Sequence, residues 1–66
     1  MSKPDWKDAP QWAEWLARDS FGEWFWFQAL PDCRRVLWLA DYDTEHTLAG
    51  KSAPGGDWKD SLEKRP

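Results

Sequence analysis

The stretch Gly22-Glu23-Trp24-Phe25-Trp26-Phe27-Gln28 places four aromatic residues in succession. Successive side chains of an extended backbone point to opposite sides, so a strand here carries Trp24 and Trp26 on one face and Phe25 and Phe27 on the other. Both faces are then apolar. Such a strand needs cover on both sides, from other parts of the chain or from another molecule. No catalytic or cofactor motif accompanies it.

On the N-terminal side, Asp8-Ala9-Pro10-Gln11 has the chemistry of a helix start. Asp suits the cap, Pro is tolerated in the first turn, and Gln follows three residues after the cap. The spacing of Trp12, Trp15 and Leu16, with Ala9 and Ala13 beside them, predicts a helix over residues 9–18 with one buried face. Gln11, Glu14 and Arg18 point away, and Glu14 and Arg18 form a favourable i, i+4 pair. Asp19-Ser20-Phe21-Gly22 then ends the helix and turns the chain into the aromatic strand. Residues 1–7 read as an arm anchored by Trp6.

On the C-terminal side, Arg35-Val36-Leu37-Trp38-Leu39-Ala40 reads as a second strand, joined through turn chemistry at Pro31-Asp32. Pairing about Asp32 sets Trp26 opposite Trp38 and Phe27 opposite Leu37. One face then holds Trp24, Trp26, Val36 and Trp38, and the other Phe25, Phe27, Leu37 and Leu39. A weaker third strand from Thr44 to Ala49 completes a meander, so antiparallel strands fill residues 22–49. Residues 50–56 are rich in Gly, Pro and Ser and read as loop. In the docking tail, residues 57–66, Asp57-Trp58-Lys59-Asp60 copies Asp5-Trp6-Lys7-Asp8. That reads as one local solution used twice, with Trp docking and Asp capping a helical turn.

The resulting expectation is a single α+β domain over residues 1–66. An N-terminal helix packs on a two- or three-stranded antiparallel meander, and a short C-terminal helical turn closes it. Trp12, Trp15 and Leu16 meet Trp24, Trp26, Val36 and Trp38 in the core. The Phe face lies beyond the reach of so short a helix. Trp6, or Trp58 with Leu62, is expected to cover it within a monomer, a homodimer being the alternative.

With 66 residues the chain has room for one small core, and such cores are marginal without staples. Cys33 is the only cysteine and His46 the only histidine, which excludes an intramolecular disulfide and leaves a Cys/His zinc site short of ligands. Eleven aromatics, seven of them Trp, make up for this through burial. A net charge of −3 opposes binding to the phosphate backbone of nucleic acids. No apolar run is long enough to span a membrane. The expected setting is cytoplasmic, with no membrane association.

The residues put forward for partner binding are Phe25, Phe27, Leu37 and Leu39, with Arg34 and Arg35 at the end of the hairpin. Exposed aromatics on strands also suit stacking of single-stranded nucleic acid, although the acidic balance and the few nearby cations oppose it. An acidic mimic of nucleic acid is a further alternative, for which the charge is thin. Asp41, Asp43 and Glu45 allow a metal or acid–base reading in form, but no calcium-loop pattern surrounds them, and a solvated strand edge accounts for them better. Cys33 beside Arg34 and Arg35, taken with His46, has no supporting nucleophile motif. No catalytic residue, cofactor or metal is assigned.

Asp5-Trp6, Ala9-Pro10, Trp12-Ala13, Trp15-Leu16-Ala17, Asp19, Gly22, Trp24 and Trp26, with the ending Asp57-Trp58, Ser61-Leu62-Glu63 and Arg65-Pro66, carry a family likeness. The pattern resembles small proteins of tailed bacteriophages and prophages of Gram-negative bacteria, a family with no assigned activity. The likeness covers residues 5–28 and 57–66. It implies a phage gene product in the bacterial cytoplasm, non-enzymatic, that binds and modulates or inhibits a host protein.

Overall fold

The computed structural model describes residues 3–54 and 56–66. Six strands form among them: β1 (Trp15–Arg18), β2 (Glu23–Phe27), β3 (Asp32–Cys33), β4 (Trp38–Leu39), β5 (His46–Lys51) and β6 (Glu63–Lys64). Two antiparallel sheets result, one of four strands in the order β5-β2-β1-β6 and one pairing β3 with β4. The described residues contain no α-helix, only 3-10 turns at Trp6–Asp8 and Trp58–Asp60.

The expected α+β arrangement is therefore corrected to a mostly β fold, and the N-terminal helix over residues 9–18 does not form. Trp15–Arg18 is strand β1, paired with β2 so that Trp15 faces Phe27, Leu16 faces Trp26, Ala17 faces Phe25 and Arg18 faces Trp24. The i, i+3, i+4 spacing fits a strand as well as a helix when both strand faces are apolar, and an isolated ten-residue helix is weak in water. The reversal between β1 and β2 decides the matter. The buried Asp19 carboxylate accepts from the backbone N–H of Phe21 (2.9 Å) and of Glu23 (3.0 Å). Gly22 has φ +92°, and a Cβ there would lie 2.1 Å from the Ser52 carbonyl oxygen. Asp19-Ser20-Phe21-Gly22 is thus a hairpin turn rather than a helix end, and it folds β1 back onto β2.

With β1 along one edge of β2 and β5 along the other, no edge remains for Arg35–Ala40. The expected hairpin between residues 22–28 and 35–40 is corrected accordingly. Trp26 lies opposite Leu16 and Thr47, not Trp38. Only Trp38–Leu39 of the second segment is strand, and it pairs with Cys33 and Asp32. The third strand forms, but as His46–Lys51 (β5) rather than Thr44 to Ala49, taking in Gly50 and Lys51 of the expected loop, with Ala49 bulged where the register shifts between Trp24 and Phe25.

Residues directly opposite on neighbouring strands share a face, so one face of the large sheet holds Leu16, Trp24 and Trp26. These three and Ala13 are the core, and Trp6, Ala9, Trp12 and Ala49 pack against them. The rings of Trp6 and Trp26 lie 4.9 Å apart, tilted by 55°. Three expected core members fall elsewhere: Val36 is exposed, Trp38 is half-buried and lines a cleft outside the core, and Trp15 is half-buried on the opposite face, where the Lys64 ammonium lies 5.8 Å from its ring centroid.

The tail pairs along the sheet edge and ties down the N-terminal segment, while its Trp58 is buried against Trp38. Glu63 and Lys64 pair with Leu16 and Trp15 along the outer edge of β1. Arg65 donates from its guanidinium to the carbonyls of Pro10 (3.1 Å) and Ala13. The Glu63 carboxylate accepts from Lys3 and from the Trp6 indole N–H. Ser61 Oγ accepts from the Arg18 backbone N–H at 2.8 Å.

Candidate functional site

The opposite sheet face carries Phe25, Phe27, Leu48 and His46, as the register requires. The segment running through β3 and β4 crosses this face and is fastened near the hairpin turn. Ser20 donates to the Val36 carbonyl from its backbone N–H (3.0 Å) and its hydroxyl (2.7 Å). The Trp38 indole N–H donates to the Arg18 carbonyl at 3.0 Å, and its ring meets Trp58 edge-on at 6.2 Å. A cleft of about 430 Å³ remains between this segment and the sheet.

Phe25, Phe27 and His46 form the sheet side of the cleft, and Leu37, Trp38, Leu39 and Ala40 the other, with Phe21 and Tyr42 also lining it. The Phe25–Phe27, Phe27–His46 and Phe25–His46 ring centroids lie 6.2, 6.2 and 6.1 Å apart, so the three rings form a nearly regular triangle. His46 stacks on Phe27 at 17°. Tyr42 is 96% exposed and Phe21 61% exposed, leaving aromatic surface in contact with water. The charged residues of the lining are Asp19, Glu23 and Asp41, and no Lys or Arg is among them. Asp19 is committed to the turn, and Glu23 has Lys51 at 4.0 Å.

Of the residues singled out from sequence, Phe25, Phe27, Leu37 and Leu39 all line this cleft, brought together by the covering segment rather than by the expected strand pairing. Arg34 and Arg35 do not. Both are exposed, and Arg34 lies 3.6 Å from the Asp32 carboxylate. Cys33 is exposed on β3 and is not part of the cleft, so it does not share a site with His46. Among the described residues no group of three or more His, Cys, Asp or Glu side chains is placed to hold a metal ion. Sequence reading missed Phe21, Trp38, Tyr42 and His46 as members of this site. The available signal was two aromatics inside turns, Phe21 before Gly22 and Tyr42 between Asp41 and Asp43, where an apolar ring has no local reason to be.

The cleft can hold an apolar or aromatic side chain against Phe25, Leu37 and Leu39, with the Glu23 and Asp41 carboxylates also in its lining. The Thr44 hydroxyl donates to the Asp41 carbonyl at 3.0 Å. Among the described residues no Ser, Cys or Lys lines the cleft. No helix among the described residues is long and apolar enough to cross a membrane. Comparison with known proteins finds no matching family model, no similar curated protein and no similar solved structure.

Proposed function

We propose that this protein is a non-enzymatic binding module of bacteriophage or prophage type that acts in the bacterial cytoplasm by engaging a host or phage protein through the Phe25–Leu39 cleft. One observation carries the reading: an apolar cleft open to water on one face of the small sheet, lined by Phe21, Phe25, Phe27, Leu37, Leu39 and Tyr42. Its size falls in the range of side-chain and small-ligand pockets, about 300–1,000 Å³. Aromatic residues at the centre of an interface supply most of its affinity, and surrounding charges set its specificity. The phage setting rests on the likeness of residues 5–28 and 57–66 to phage and prophage proteins.

Stacking of single-stranded nucleic acid on the same rings is disfavoured, because a phosphate backbone would approach Glu23 and Asp41 with no Lys or Arg in the lining. The test is affinity capture from a bacterial lysate with the wild-type chain and with a Leu39→Asp/Tyr42→Ala chain, both positions being exposed. The expected outcome is a protein retained by the first and lost from the second. Identical captured sets would overturn the assignment of the cleft.

A further inference from the structure

Indole rings elsewhere in this molecule carry cations from the same chain. Arg18 lies over Trp24 at 5.9 Å, Lys59 over Trp58 at 5.5 Å, Lys64 over Trp15 at 5.8 Å and Arg65 over Trp6 at 5.6 Å, each measured to the ring centroid. None of those four rings belongs to the cleft. The cleft also offers aromatic rings, Phe and His rather than Trp on its sheet side, together with the Glu23 and Asp41 carboxylates, yet among the described residues no Lys or Arg lines it. Among the described residues no cation pairs with Asp41, and Lys51 reaches Glu23 only at 4.0 Å from a largely exposed position. The site is thus electronegative twice over, through ring faces and through carboxylates, in a chain whose net charge is already −3.

We infer that the cleft receives an arginine side chain of the partner protein, its guanidinium against the Phe25 ring and directed toward the Glu23 carboxylate on the same strand face, with Asp41 adding negative charge elsewhere in the lining. This rests on the reading of the cleft as a binding site and names the chemistry that enters it. Arginine fits better than lysine for two reasons. Its planar, weakly hydrated head stacks on rings and loses less on leaving water, and its fork of donors matches a carboxylate. Aliphatic residues flanking the arginine would meet Leu37 and Leu39.

The probes are fluorescein-labelled peptides Gly-Leu-Xaa-Leu-Gly in which Xaa is arginine, citrulline or leucine, titrated into the full chain and followed by fluorescence anisotropy. Citrulline keeps the planar shape and removes the charge. The expected result is binding of the arginine peptide about fivefold or more tighter than the citrulline peptide. That preference should fall below about twofold in a Glu23→Gln/Asp41→Asn chain and with added salt, while circular dichroism confirms that the variant is folded. Equal binding of all three peptides, weakened alike by Tyr42→Ala, would overturn the arginine inference and leave the cleft as an apolar binding site. Absence of binding by all three would overturn both.

Discussion

Asp19 is a carboxylate in an unusual place, 6% exposed in a protein with little interior to spare. It is tolerated because its acceptor oxygen meets two backbone donors, Phe21 and Glu23, that the tight reversal turns inward. Removing the carboxylate leaves both donors without a partner. Asp19→Ala should therefore lose about 1–3 kcal/mol of stability in urea unfolding, with Asp19→Asn losing less because it keeps one oxygen. A loss indistinguishable from zero would show that water replaces the side chain. The same four residues explain why the reversal was misread. Asp, Ser and Gly mark the end of a helix and the corner of a hairpin by the same local chemistry, and only the partner on the far side distinguishes them.

At the scale of elements, the aromatic strand was legible and its neighbours were not. Four aromatics in a row, bounded by Gly22 and Gln28, admit little but a strand buried on two sides, and Glu23–Phe27 is one. Residues 12–18 present apolar groups at a spacing that serves either a helix face or two strand faces, and tertiary pairing with β2 chose the second. Arg35–Ala40 has strong strand formers but was displaced from β2 by β1 and β5, and long-range competition of this kind leaves no local trace. Half of the cleft was legible for the same reason: Phe25 and Phe27 alternate visibly on one strand, whereas His46 joins them only through the long-range pairing of β5 with β2, and Tyr42 only through the path of the covering segment.

The edge strand β6 carries the clearest electrostatic signature. Burial pushes the Glu63 carboxyl up, but hydrogen bonds from Lys3 and Trp6 and the positive charge of Lys3 outweigh it and hold the group below the ordinary carboxylate range. Its folded value thus lies beneath the unfolded value of about 4.3. The stabilisation is fully present above the unfolded value and lost as pH falls through the folded one. Urea midpoints of the wild-type and Glu63→Gln chains should therefore differ at pH 7 and converge as pH drops below about 4. A gap that stays constant with pH would show that the carboxylate charge contributes nothing.

For the molecule as a whole, the tail is a brace rather than a lid. Trp58 is buried against Trp38, Glu63 and Lys64 extend the sheet, and Arg65 holds the carbonyls of Pro10 and Ala13. Deleting Asp57–Pro66 removes at once the outer strand of the sheet, a buried indole and the fastening of the N-terminal segment over the Trp face. The expected loss exceeds about 3 kcal/mol, counting the indole burial alone at the upper end of side-chain transfer. In a chain this small it should appear as an unfolded circular dichroism spectrum at 25 °C. A truncated protein with an unchanged melting temperature would contradict the bracing role.

The contact between Lys3, Trp6 and Glu63 also bears on the order of events in time. It joins groups up to 60 positions apart in sequence, whereas the β1–β2 hairpin closes across a four-residue turn. Closing the longer loop costs more chain entropy, so the hairpin is expected to form in the folding transition state and the distant contact after it. Stopped-flow measurements on Glu63→Gln should show unfolding accelerated and refolding nearly unchanged, a φ-value near zero, whereas Asp19→Ala should slow refolding. The opposite pattern would mean that the ends meet first. With the expected order, the Lys3–Glu63 clasp governs how long the folded molecule persists, and the Asp19 corner how quickly it arises.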